Sequence, residues 1–160
     1  MLKVVSNTTP FISLLKISKI ELLRDIYGRI IIPKGVFEEI ERGNNKTFYA
    51  DLSKMGWIDI RKIKDKSPLK YLHDLDNGEA EVLVLANEIK ADIVIIDEKL
   101  GREYAAHFNL NITGTIGILL KAKKLKLIKE IKPVLSEMTE KGIWLNNSLI
   151  EKILILAKEI

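Results

Sequence analysis

The chain contains no cysteine, no glutamine and only two histidines, His73 and His107. Without thiols there are no disulfides, no thiolate metal centres and no cysteine nucleophiles. Two imidazoles cannot build a multi-histidine zinc site, and neither has a neighbour in sequence that would make a Ser-His triad. A metal here must therefore be held by oxygen ligands, which favours Mg²⁺ or Mn²⁺. Neither Gly-x-Gly-x-x-Gly nor a Lys-ending phosphate loop occurs, which argues against a nucleotide-binding module. Aromatic residues are only 6% of the chain and are scattered, so Trp57 and Trp144 are expected to pack inside rather than stack on bases. No apolar run approaches the ~18 residues that a membrane span needs. The first residues show no basic stretch followed by a cleavable apolar segment, and the chain is read as cytoplasmic with no membrane partner. No repeat, low-complexity tract or domain linker stands out. Missing Cys and Gln beside abundant Lys, Ile and Glu point to a thermophile.

What is present describes one soluble domain. A length of 160 residues suffices for a single core and is short for two, and 47% hydrophobic with 30% charged residues is a globular balance. The net charge of +4 permits nucleic-acid binding without requiring it.

Ile93 to Ile96, four branched apolar residues between Ala91-Asp92 and Asp97-Glu98, read as a strand buried on both faces, with helical patterns on either side. That alternation predicts a three-layer α/β/α sandwich around a parallel sheet of four or five strands. Further strands are expected at Leu2–Val5, Arg29–Ile32, Trp57–Ile60 and Leu110–Thr113. Helices are expected after Thr9-Pro10, with Thr9 as cap, then after Ser18, from Pro33 to Gly43, over Lys46–Lys54, over Gly78–Lys90 and over Lys99–Phe108. Ile116–Lys124 should be helical with Thr115 as its cap. Ile128–Thr139 and Leu149–Ile160 make a helical tail, which divides the chain into residues 1–125 and C-terminal helices, 126–160, packed on the same domain. Because Leu149–Leu156 is apolar on more than one side, a homodimer contact is expected there.

In parallel sheets, ligands bind beyond the carboxyl ends of strands. Asn7 and Asp97-Glu98 lie at two such ends. Helical spacing of ~100° per residue puts Glu39 on the flank of its helix and Glu79 on the apolar side of another. Asp76 with Glu79 also has the form of a capping box, a structural reason for the same acid. Carboxylates gathered at a sheet edge repel unless a cation sits among them, and such an ion can activate water against a phosphodiester. Each residue has a plainer role too: Asp97 as a helix cap, Glu39 as a solvated flank, Asn7 as a turn former. Lys121, Lys123, Lys124, Lys126 and Lys129 make a basic run that either tracks a nucleic-acid backbone or is a solvated helix face.

Val4-Val5-Ser6-Asn7-Thr8-Thr9-Pro10-Phe11-Ile12, Val36-x-x-Glu39, Gly78-Glu79-Ala80-Glu81-Val82 and Ile95-Ile96-Asp97-Glu98-Lys99 with Arg102 resemble the successive motifs of PIN-domain proteins. Gly114-Thr115-Ile116-Gly117-Ile118-Leu119 resembles the closing motif of a PIN-like subfamily of mostly uncharacterised prokaryotic proteins. The resemblance implies a Mg²⁺- or Mn²⁺-dependent endoribonuclease, acting on RNA rather than DNA, often the toxin of a toxin–antitoxin pair with an antitoxin protein as partner. It carries Glu39, Glu79 and Asp97 over as acids, Glu98 as a second acid beside the last, and Thr8 as a hydroxyl at the site. Thr115, Arg102 and Lys121 are then expected on the substrate. The first family acid falls on Asn7, whose amide oxygen can coordinate a metal with one formal charge fewer. A nucleic-acid-binding protein of the same fold without nuclease activity is the competing reading. A phosphatase using an Asp after its first strand is disfavoured by the same Asn7.

Overall fold

The computed structural model describes residues 1–160. Branched apolar runs, stiff at χ1 and suited to a pleated surface, form β1 (Val4–Ser6), β2 (Ile30–Pro33), β3 (Ile58–Arg61), β4 (Ile93–Ile95) and β5 (Ile112–Thr113). Every pairing is parallel, in the order β3-β2-β1-β4-β5, with Val5 opposite both Ile31 and Val94. The chain winds outward from β1 to β3, then returns to lay β4 along the other side of β1. Strand order thus reverses between β1 and β4, the place where an open parallel sheet leaves a crevice beyond its carboxyl ends.

Helices α1 (Thr8–Lys16), α2 (Glu21–Tyr27), α3 (Lys34–Arg42), α4 (Asn77–Ile89), α5 (Lys99–His107), α6 (Thr115–Lys124), α7 (Lys132–Glu140) and α8 (Asn147–Leu156) complete a three-layer α/β/α sandwich. α4 packs across β1 and β2 with α3 and α5 beside it, while α2 and α6 pack together against the sheet. Val4, Val5, Ile30, Ile32, Val94, Ile95 and Ile96 are all fully buried, as strands covered on both faces must be. No helix is long and apolar enough to cross a membrane.

Three expected elements differ. Lys46–Lys54 is not a helix: only Leu52–Lys54 makes a 3₁₀ turn, with the Asp51 carboxylate accepting from Ser53 N at 3.0 Å. Short polar side chains of this kind offer the backbone local partners that compete with helix. The helix expected from Ile128 begins at Lys132, with Pro133 in its first turn; a proline deeper inside would remove a hydrogen bond and strike the preceding turn. In α1 the cap position is Asn7, not Thr9, so Pro10 falls among first-turn residues whose N–H groups need no helical partner.

The tail is tied to the domain by one carboxylate. Glu159 accepts from Ile131 N at 2.7 Å and Lys132 N at 2.8 Å and pairs with Lys123 Nζ at 2.9 Å. Burial pushes its carboxyl up, but these donors outweigh burial and hold it below its ordinary range. Ile131, Leu135, Met138 and Ile153 enter the same apolar core as the sheet.

Candidate functional site

The last residue of β1 is Ser6, and Asn7 follows with its backbone N–H donated to Ile95 O at 2.9 Å, so the register of β1 on β4 carries Asn7 into the crevice. Asn7 is 2% exposed. Its Nδ2 donates to Glu98 Oε2 at 3.2 Å, while Oδ1 is buried with no partner. A buried acceptor left unpaired costs on the order of 1–3 kcal/mol. The threonines beyond it turn to the acids: Thr8 Oγ1 donates to Glu39 Oε2 at 2.7 Å, and Thr9 Oγ1 donates to Glu98. Thr9, expected only as a cap, is thus a site residue. Two adjacent hydroxyls at the start of a helix following an apolar strand were its sequence signal.

Glu79 arrives from the first turn of α4, where the Asp76 carboxylate accepts from Glu79 N at 2.8 Å. That is one half of the expected capping box, yet the Glu79 side chain itself is buried. Burial first, then a hydrogen bond with Asp76 and the charges of Asp76, Glu98 and Glu39, push its carboxyl from an ordinary 4.5 up to about 8. Asp76, Glu98 and Glu39 are thus within charge range of Glu79 without closing on one point. Two glycines make room for them. A Cβ on Gly101 would come within 2.8 Å of Glu79 Oε2, and one on Gly78 within 2.8 Å of Glu39 Oε2.

Asp97 faces a different way. Its Oδ1 accepts from Thr115 N at 2.7 Å and its Oδ2 from Thr115 Oγ1 at 2.6 Å, so it caps α6, whose own cap residue, Gly114, has no side chain. The expectation of Thr115 as cap is corrected: the acceptor comes from across the sheet. Burial raises the Asp97 carboxyl, with the Thr115 donors and Arg102 opposing and Glu98 adding to the rise. No three acidic or histidine side chains stand close enough together to enclose one ion. Asn7 removes one acid from the crevice and Thr115 draws Asp97 aside.

Of the residues expected on substrate, Thr8 and Thr115 are each 3% exposed and give their hydroxyls to acids. Arg102 is exposed, with one guanidinium nitrogen on Ile96 O at 2.9 Å, beside Gly114. Lys121 is not brought to the acids, since its Nζ lies over the Tyr27 ring at 5.4 Å. It sits nearly two turns along α6, which carries it away from the carboxyl ends of the strands. Lys123, in the same basic run, is held by Glu159 and Ala157 O. His73 and His107 are surface residues. Trp144 contradicts its expected packing: it is 80% exposed.

A crevice that gathers an amide oxygen, two hydroxyls and several carboxylates is built for hard oxygen-ligand chemistry. A family model described as PIN domain matches residues 3–159, through the tail and its last helix. Among curated proteins nothing matches the chain.

Proposed function

The chain belongs to the PIN-domain family, and from that premise we propose that it is an endoribonuclease dependent on Mg²⁺ or Mn²⁺, with RNA preferred to DNA. Glu39, Glu79, Glu98 and Asn7 Oδ1 are the groups that would hold the ion, whose charge would have to draw in carboxylates that stand too far apart to enclose it unaided. The observation that carries this reading is the Asn7 oxygen, buried and unpartnered at the switch point of the sheet on a residue 2% exposed, beside Glu98. Interiors rarely leave such a group unpaired, and a cation would satisfy it together with the repelling acids. The cradle left by Gly78 and Gly101 supports the same fit.

A bound divalent ion supplies an acidified water and charge stabilisation for an in-line displacement at phosphorus. The protein's own part is positional. Thr8 and Thr9 orient Glu39 and Glu98, Asp76 fixes the backbone of Glu79, and Asp97 pins the turn at Gly114–Thr115 that walls the crevice. Arg102, exposed beside that turn, is a cation that a substrate phosphate could meet.

Mn²⁺ titration calorimetry on wild type and Asn7→Asp, with cleavage of a generic single-stranded RNA, tests the reading. Asn7→Asp restores a formal charge among the donors and is expected to bind Mn²⁺ about tenfold more tightly, with cleavage rising in step. A second reading has its own support. Glu39 accepts from Thr8, and Glu98 accepts from Thr9 and Asn7 Nδ2, internal partners of the kind expected in a nucleic-acid-binding protein that has lost catalysis. Absence of Mn²⁺ binding at millimolar metal in both proteins, with no cleavage, selects it.

A further inference from the structure

Beside the crevice runs a groove of about 650 Å³, the size of a small-ligand site. One wall is the Gly114–Thr115 turn with Arg102, the other is the segment Ile143-Trp144-Leu145 that leads into α8, and Thr9 joins the groove to Glu98. Trp144 is 80% exposed while Ile143 and Leu145 on either side are half-buried. The segment is pinned at both ends: Ile143 N donates to Met138 O at 2.9 Å, and the Asn146 side chain accepts from Leu149 N at 2.7 Å. The indole is therefore displayed by an anchored backbone rather than by a loose one. An indole offers more apolar area than almost any side chain, so one fixed over a groove is a ready face for a ligand to cover.

The charges of the groove identify the partner. Its lining contains two charged residues, Asp97 and Arg102. Both oxygens of Asp97 are engaged by Thr115, whereas Arg102 is exposed and, with one nitrogen on Ile96 O, keeps further guanidinium donors for a ligand. A flat aromatic face and one guanidinium along a groove that ends at a phosphodiester-cleaving site match a nucleotide: base on the indole, phosphate on the arginine. We propose that Trp144 and Arg102 form a subsite for one nucleotide of single-stranded RNA, flanking the phosphate that would meet an ion held by Asn7, Glu39, Glu79 and Glu98. The subsite rests on the nuclease reading for its substrate, and stacking makes it tolerant of base identity.

The test uses the full chain in EDTA, where metal-dependent cleavage is off, in a Trp57→Phe background so that Trp144 is the only indole. Titration with a short oligouridylate is expected to quench its fluorescence. Trp144→Ala should weaken binding about tenfold, Trp144→Phe should recover most of it, and Arg102→Ala should lower the slope of log affinity against log salt by about one. Mn²⁺ binding by Trp144→Ala should equal wild type. Quenching without any metal-dependent cleavage keeps the subsite and removes the nuclease reading. Cleavage by Trp144→Ala with wild-type KM, or absent quenching, overturns the subsite and leaves the nuclease reading intact. A change of oligomeric state in Trp144→Ala with unaltered RNA affinity also overturns it, assigning the indole to a second copy of the chain.

Discussion

Glu79→Gln is expected to abolish Mn²⁺-dependent cleavage and, in the same protein freed of metal, to raise stability. Loss of an ion-holding carboxylate should cost more than about a hundredfold in activity, since even groups one step removed from a metal are worth 10–100-fold. The stability gain follows from the acid's surroundings. Glu79 is raised from 4.5 to about 8 by burial and by Asp76, Glu98 and Glu39, so between those pH values the folded chain holds one more proton than the unfolded chain. Stability then falls as pH rises through that window, is unaffected by Glu79 below it, and is reduced by the full amount above it. A glutamine has no such dependence. Thermal unfolding in EDTA should show the two proteins alike near pH 5 and Glu79→Gln ahead by on the order of 3 kcal/mol near pH 8.5, after discounting for solvent screening. For a chain of this size that is a shift of roughly 6–12 °C. A wild type equal to or more stable than Glu79→Gln at pH 8.5 would mean that the acid is not held against its neighbours as described.

The second large effect belongs to Asp97 and is one of stability. Asp97→Ala leaves the Thr115 N–H and hydroxyl, in a residue 3% exposed, without their acceptors. Unpaired buried groups cost about 1–3 kcal/mol each, and the lost charge at the α6 N-terminus adds about 0.3–1 kcal/mol. A total near 3 kcal/mol is expected by denaturant unfolding. Asp97→Asn keeps an oxygen for Thr115 N and presents an amide to a hydroxyl that can accept, so it should lose about 1 kcal/mol. The pair of variants separates two roles. If Asp97→Asn folds with near-normal stability yet loses Mn²⁺ affinity as completely as Glu79→Gln, then Asp97 is a metal ligand and the division drawn between it and Glu98 is wrong.

The amino-acid pattern was enough to specify the architecture. Four consecutive branched residues at Ile93–Ile96 can only be comfortable covered on both faces, and strands of that kind alternating with amphipathic helices leave a parallel three-layer sandwich as the economical arrangement. Period-3.6 spacing was enough to turn Glu79 inward and leave Glu39 on a half-buried flank, because those directions are set within a single helix. Where local chemistry competed with periodicity, the pattern misled: the Asp51 carboxylate accepts from Ser53 N and Ser53 Oγ in place of a helix, and Pro133 delays α7 by four residues from Ile128.

Only the tertiary structure decided which polar groups meet. Asp97 and Glu98 are neighbours in sequence, yet one caps a helix across the sheet and the other joins Asn7 and Thr9 in the crevice. Nothing local distinguishes them, since the outcome depends on where Thr115 and Thr9 are delivered by different strands. Trp144 shows the same limit in reverse. Composition says that an indole packs, whereas the connection from α7 to α8, closed by Ile143 N on Met138 O and by the Asn146 cap, leaves it exposed over a groove that Arg102, from a distant part of the chain, also lines. The period of a helix or strand is a property of a few consecutive residues, whereas the partner of a side chain is a property of the whole packing.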